Sequence, residues 1–282
     1  MPDYNLMAPD DMDLLLFSPF QIALGEETVE RLNRQLSNYD YYNGYQHETE
    51  NGELVKASEL PRPAGLDYDP TRYSTNYFKA IVDRKARWQM GGTHGISVPR
   101  EQIDEMAAVL SEGYEPSAAQ KAENLRAEEY ERLLYRLWDE NKMRARLIQA
   151  ARDRLIADRV VCKIVFNPRT GRLHWVWVPD YQFIPIFSDD DFRDLVGAVF
   201  VKPRKWQVKK DEEVDALQIQ RYRLEENGDC TFEDAIYSEQ DLSILHMVTP
   251  KGSLGLDFIP VQMFPVGELI EETLGESEIS SL

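Results

Sequence analysis

Four groups of residues in this 282-residue chain are of types that could do chemistry. They are a glycine run at Gly91-Gly92-Thr93-His94-Gly95, an acidic run at Ser188-Asp189-Asp190-Asp191, four histidines with two cysteines, and arginines at 144, 146, 152, 154 and 159. The glycine run invites a phosphate-cradling reading, but that chemistry needs the glycines ahead of a helix, where free amides and the helix dipole meet the anion. Here they follow a helical stretch, so they are read as a helix end leading into a strand at Gly95-Ile96-Ser97-Val98. The acidic run lacks the spaced oxygen ligands, glycine and closing glutamate of a calcium loop, and is read as a turn. His47, His94, His174 and His246 are scattered, and neither HExxH nor a paired CxxC is present. Cys162 and Cys230 are read as buried small hydrophobes of a reducing compartment. No Walker loop and no dinucleotide glycine pattern occurs, and among 50 carboxylates no acid–base pair stands out. No catalytic, cofactor-binding or metal-ligating residue is therefore assigned. The arginines remain: Arg144, Arg152 and Arg154 are the candidates for contact with an acidic neighbouring subunit or a phosphate, against the plainer reading of a solvated helix face.

Composition narrows the class of partner. The formal net charge is −18, and it is unevenly spread. Residues 1–60 carry 12 acids and 3 bases, residues 61–209 carry 21 acids and 25 bases, and residues 210–282 carry 17 acids and 4 bases. Acidic ends thus flank a slightly basic middle. Tight nucleic-acid binding through phosphate neutralisation is excluded for such a chain, because that mode depends on many Lys and Arg displacing counterions. No apolar run approaches the roughly 20 residues that span a bilayer, and 43% hydrophobic residues suffice for a real core.

The elements that must position these residues follow from periodicity. Residues 1–25 read as an irregular arm broken by Pro2, Pro9 and Pro19. A helix is expected over about Glu26–Asn43, capped by Thr28, with Val29, Leu32 and Leu36 at helical spacing and Asn43-Gly44 as its end. A polar, proline-containing excursion from His47 to Tyr73 leads to a second helix over about Thr75–Gln89, with Tyr77, Phe78, Ile81, Val82 and Ala86 as its apolar stripe. A short helix is expected in 101–119. A long one follows with Leu125, Leu133, Leu134, Leu137 and Trp138 on one face and a Glu128–Arg132 pair, and then a separate helix with Asn141 as its N-cap.

The second half alternates. VVCKIVF and RLHWVWV, joined by Asn167-Pro168-Arg169-Thr170-Gly171, read as a hairpin with two largely apolar faces that must be covered on both sides. PDYQFIPIF is extended and kept from a central strand by its prolines. Strands then recur at Leu195–Lys202, Ala216–Leu224, Thr231–Tyr237 and Ser243–Val248, an antiparallel meander followed by an extended SLGLDFIPVQMF and a helix start at Gly275–Ile279. The expected class is α+β, helices first and meander second. The divisions are 1–25 as an arm, 26–159 as a mainly helical part, 160–265 as an antiparallel β part, and 266–282 as the start of a connection onward.

Several short blocks come in a telling order: DYYNGYQ (Asp40–Gln46), YSTNYFKAIVDRKARWQMGG (Tyr73–Gly92), LWDEN (Leu137–Asn141), VPDYQFIPIF (Val178–Phe187), LGLDFIPVQMF (Leu254–Phe264) and GESEI (Gly275–Ile279). Across about residues 25–282 the chain resembles the portal proteins of tailed bacteriophages, in the group similar to the portal of the Bacillus phage SPP1. It departs from that pattern at Ala157-Asp158-Arg159, where a glycine is common. It also ends where a channel-lining helix, clip, tunnel loop and crown would follow, leaving the peripheral wing.

The resemblance implies a structural role without enzymatic activity or cofactor. It implies a homo-oligomeric ring, about twelve subunits, at one capsid vertex of the virion, assembled in the host cytoplasm. Double-stranded DNA would pass through, loosely held and without sequence specificity, driven in by a separate terminase. Capsid and head-completion or adaptor proteins would be the other partners, with no membrane. Two other classes stay open on sequence alone: another phage capsid or adaptor protein without a channel, and a β-rich hydrolase with an unrecognised carboxylate pair.

Overall fold

Helices do come first and an antiparallel meander later, which makes the fold α+β. The computed structural model describes residues 26–49, 52, 54–60, 74–100, 117–188, 194–209 and 212–266. The arm at 1–25, PRPAG at Pro61–Gly65, the helix expected within 101–119 up to residue 116, the acidic run from Asp189 to Asp191 and the helix start at Gly275–Ile279 lie outside those residues.

Four α-helices are described: α1 (Glu26–Asn43), α2 (Tyr77–Met90), α3 (Ala118–Glu140) and α4 (Met143–Ile156). Gly44, at φ +93°, ends α1 as expected, whereas Thr28 lies inside the helix and is not its cap. α2 begins at Asn76, whose side chain accepts from the Lys79 amide at 2.8 Å. Between α1 and α2 the excursion holds a two-residue pairing of β1 (His47–Glu48) with β2 (Leu54–Val55). The segment after α2 is not a strand. Its Ile96 and Val98 amides donate instead to Tyr135 Oη and Glu131 Oε1 of α3, so side chains take the place of a ladder.

Both middle helices orient differently from the expected stripes. In α2 the buried residues are Val82 and Ala86, while Tyr77 and Ile81 face solvent. In α3 only Ala127 is buried, with Leu125 and Leu133 exposed. The Glu128–Arg132 pair forms, at 3.7 Å. α3 and α4 are separate helices, but Asn141 is the C-cap of α3, and Lys142 at φ +50° turns the chain into α4. The Asn141 side chain bonds instead to Leu137 O and Leu173 O and accepts from the Trp175 amide, at 2.9 to 3.1 Å.

The hairpin is β3 (Arg159–Asn167) with β4 (Arg172–Pro179), and its turn places Gly171 at φ +63°. β10 (Val261–Pro265) adds to the outer side of β3, making a three-stranded sheet in the order β10-β3-β4. β5 (Phe183–Phe187), β6 (Leu195–Lys209), β7 (Glu212–Leu224), β8 (Cys230–Ser238) and β9 (Ile244–Ser253) form a sequential five-stranded meander. Pro185 sits in β5, an edge strand, as the prolines required. Pro203 in β6 lies beyond the stretch paired with β5, Leu195–Phe200, where among the described residues β6 has β7 as a neighbour on one side and an open edge on the other.

The elements stack in layers. α1, α2 and α4 share a core with Leu32, Tyr39, Val82, Ala86, Ala151, Leu155 and Tyr181. α4 lies on the three-stranded sheet, whose other face packs on the meander through Val161, Val178, Phe183, Phe200 and Tyr222. Coverage of the hairpin stops short of its tip, where Ile164, Phe166 and Leu173 are exposed.

Candidate functional site

The tightest constellation of charge lies where α1 crosses the end of α4 and the start of β3. α1 presents Arg31, Gln35 and Asn38 inward, spaced i, i+4 and i+7 and therefore on one face. Asn38 Nδ2 donates to Ile156 O and Gln35 Nε2 to Ala157 O, both at 3.0 Å. These are the terminal carbonyls of α4, which have no partner within their own helix. Gln35 Nε2 also reaches Asp180 Oδ2 at 2.6 Å. That carboxylate, fully buried between β4 and β5, accepts from Arg31 Nη1 on one oxygen and from Arg159 Nε on the other. Arg34 Nη2 donates to Asp158 Oδ2 at 3.2 Å.

Asp158 carries the turn from α4 into β3 at φ +69°, a conformation glycine adopts freely and aspartate tolerates better than most residues. The backbone thus takes the route a glycine would take, and the carboxylate supplies Arg34 with a partner. Burial raises the Asp158 carboxyl above its ordinary range, opposed by Arg34. Burial likewise lowers the Arg31 guanidinium, opposed by Asp180. Three arginines, Arg31, Arg34 and Arg159, thus converge on two carboxylates, Asp158 and Asp180, and tie α1 to the α4–β3 turn and the β4–β5 link, which makes the cluster a joint between elements.

The candidate arginines divide around this joint. Arg159 is not part of a helix face: it is the first residue of β3 and is fully buried. Arg152 Nε meets Asp83 Oδ1 of α2 at 2.7 Å, and Asp83 also accepts from Tyr42 Oη. Arg154 Nε donates to Pro265 O of β10 at 2.8 Å. Arg146 Nη1 donates to Trp175 O of β4 at 3.1 Å. Only the first turn of α4 differs, since Arg144 is exposed beside an open cleft of ≈ 190 Å³ with Trp138, Lys142 and Met143. The arginines of α4 therefore rivet it to α2, β4 and β10. Sequence reasoning missed the acceptors, chiefly Asp180, and the donors of α1. The signal available was Arg31-x3-Gln35-x2-Asn38 on the face that also carries Leu32 and Tyr39.

The remaining candidates stay apart. His94 stands beside Trp138, with ring centroids 5.9 Å apart, and His246 is stacked on Trp206 at 5.2 Å. Among the described residues no group of three or more His, Cys, Asp or Glu is placed to hold a metal ion. Cys162 and Cys230 are both buried and unpaired. Gly91 ends α2 by donating its amide to Arg87 O at 2.7 Å, the helix-end role read from its sequence. No helix among the described residues is long and apolar enough to cross a membrane.

A layered α+β body whose arginines join helices to sheets, with Tyr77 and Trp88 left exposed on one helix, has the build of a structural subunit. Residues 25–244 match the family described as phage portal protein, SPP1 Gp6-like, and the chain belongs to that family. The family is structural, not enzymatic, and its place is the capsid of a phage. Comparison with curated proteins gave no match.

Proposed function

We propose that this chain is the wing part of a portal subunit that closes into a ring of about twelve copies at one capsid vertex. Double-stranded DNA passes through the ring on packaging and ejection, a separate terminase drives it inward, and head-completion, adaptor and capsid proteins dock around it after assembly in the host cytoplasm. The observation that carries this reading is the family match over residues 25–244. The net charge of −18 supports loose passage, since a wall that bound phosphate tightly would hold the duplex in place. A ring also needs two different, complementary surfaces on each subunit, joined head to tail.

Arg144, Arg152 and Arg154 are proposed to lie at or near that contact. Arg144 is exposed and free to reach a neighbour, whereas Arg152 and Arg154 support the surface from within by fixing α4 to α2 and β10. Charge reversal at the latter two therefore acts on the fold as well as on assembly, and Arg144→Glu is the cleaner variant. The deciding experiment is electron microscopy of the purified chain with end views classified for rotational symmetry. Rings with a central hole are expected. Monomers at every concentration would refute ring formation by this part of the subunit.

A further inference from the structure

α2 has two stripes, and among the described residues only one of them has a partner in the subunit. Val82 and Ala86 are wholly buried against the helical core. Tyr77, Ile81, Arg84 and Trp88, at i, i+4, i+7 and i+11, share the opposite face. Tyr77 is 69% exposed, Ile81 41% and Trp88 72%. The Arg84 guanidinium lies 4.7 Å from the centre of the Trp88 ring, which holds both side chains in place before any partner arrives. Trp, Tyr and Arg are the residues that dominate binding energy at protein interfaces, and a row of them directed at water marks a docking surface.

The chemistry of that face selects its partner. Residues 77–90 carry four bases and one acid, within a chain of net charge −18. Residues 212–258, the strands β7 to β9 with their loops, carry 11 acids and 3 bases. In that region Leu254 and Phe258 are exposed, with Asp257 and Glu226 exposed nearby. The loop is held to the start of β8 by two backbone hydrogen bonds, Leu254 N–H to Cys230 O at 2.9 Å and Cys230 N–H to Leu256 O at 2.8 Å. It is therefore a fixed apolar knob in an acidic part of the chain, with Asp257 exposed within it and the nearby base Lys251 already paired with Glu225 at 2.6 Å. The stripe of α2 is its counterpart, an aromatic row flanked by Arg84 and Arg87. Each patch lies in a region with an excess of one sign of charge, which disfavours pairing with its own copy and favours pairing with the other.

We infer that the Tyr77–Ile81–Arg84–Trp88 face of α2 docks on the Leu254–Phe258 loop of the next copy, giving the head-to-tail contact of the ring. This inference rests on the ring reading above and names the surface that makes it. It is tested in the intact chain by native mass spectrometry and microscopy of Trp88→Ala and Arg84→Glu, with far-UV circular dichroism as the check on folding. Both residues are exposed, so the fold is kept. Trp88→Ala should weaken association by about 30-fold, the effect of losing a hot-spot aromatic. Arg84→Glu should weaken it too, and Asp257→Arg in the same chain should restore part of the loss. A photo-cross-linking phenylalanine analogue in place of Trp88 should capture peptides from residues 252–260 of a second copy. If wild-type rings form and Trp88→Ala forms them at the same concentration, the contact is overturned and the ring reading stands. Cross-links to any other region also overturn the contact. Wild-type chains that remain monomeric overturn both.

Discussion

The helical layer and the sheet layers are held together by different physics. Between the sheets the contacts are largely apolar and aromatic, with Phe183, Phe200 and Tyr222 in a chain of rings 5.1 to 5.9 Å apart and Lys163 Nζ donating across to Gln220 Oε1. Under α1 the contacts are ionic and directional, with Asp180 bound by two arginines and a glutamine and the end of α4 capped by side chains. An apolar interface tolerates small shifts, whereas a buried carboxylate with several donors fixes one arrangement or becomes a liability. The helical layer is thus specified by a few residues and the sheet layers by many.

The sharpest way to break that contrast is Asp180→Ala. It leaves Arg31 and Arg159 buried without a counter-charge, and a loss of about 3–5 kcal/mol is expected by urea unfolding. The comparator in the sheets is Leu217→Ala, whose side chain is fully buried; there a cavity should cost about 2–4 kcal/mol. If Asp180→Ala proved the milder of the two, the ionic joint would not be what holds the helices. Asn141→Ala comes next, because it strips the Trp175 amide and the Leu173 carbonyl of a partner. About 1–3 kcal/mol is expected, read from the same denaturation curves.

Titration sharpens the comparison further, since the two regions should respond to pH with opposite signs. In the helical layer burial pushes the Asp153 carboxyl up from 3.8 to about 7, opposed by the hydrogen bond from Tyr39. A raised carboxyl favours the protonated form in the folded state, so stability should fall as pH rises from about 4 to about 7. Asp153→Asn should flatten that fall. Between the sheets burial pushes the Lys163 ammonium down from 10.5 to about 8, opposed by Asp234. Stability should therefore rise as pH climbs from about 8 to about 10.5, and Lys163→Met should remove the rise. Chemical denaturation midpoints across both windows measure the two slopes; slopes of the same sign would contradict the assignment. The smallest effect expected is for Arg152→Ala. Its pair with Asp83 is partly exposed, and about 0.5–1 kcal/mol should be lost in the same assay.

These regions also differed in how far the sequence could be read. The strands were legible because alternation is local: Val199 and Val201, Leu217 and Ile219 declare a buried face within a few residues, and Asn167 to Gly171 declare the turn. The layer order was not, because nothing in LGLDFIPVQMF says that its end pairs with β3. In α2 the pattern holds two apolar stripes, and periodicity alone cannot say which faces inward. Small Val82 and Ala86 do, because α4 approaches closely there. The ionic joint was illegible for another reason. Arg31 and Asp180 look like surface residues until the fold brings them together across 149 positions. Asn141 was read as a local cap, and its actual partners lie 32 and 34 residues further on.

That separation has a consequence for the order of events at the ribosome. α1 leaves the exit tunnel long before Asp180 has been translated, and at roughly 5–20 residues per second the wait is on the order of ten seconds. Throughout it, the face that will be buried is partly Arg31, Gln35 and Asn38, which water solvates well. A nascent helix with those residues inward has less tendency to aggregate than one with an all-apolar stripe. The joint that makes the finished fold rigid is also what lets its first helix wait safely for the rest.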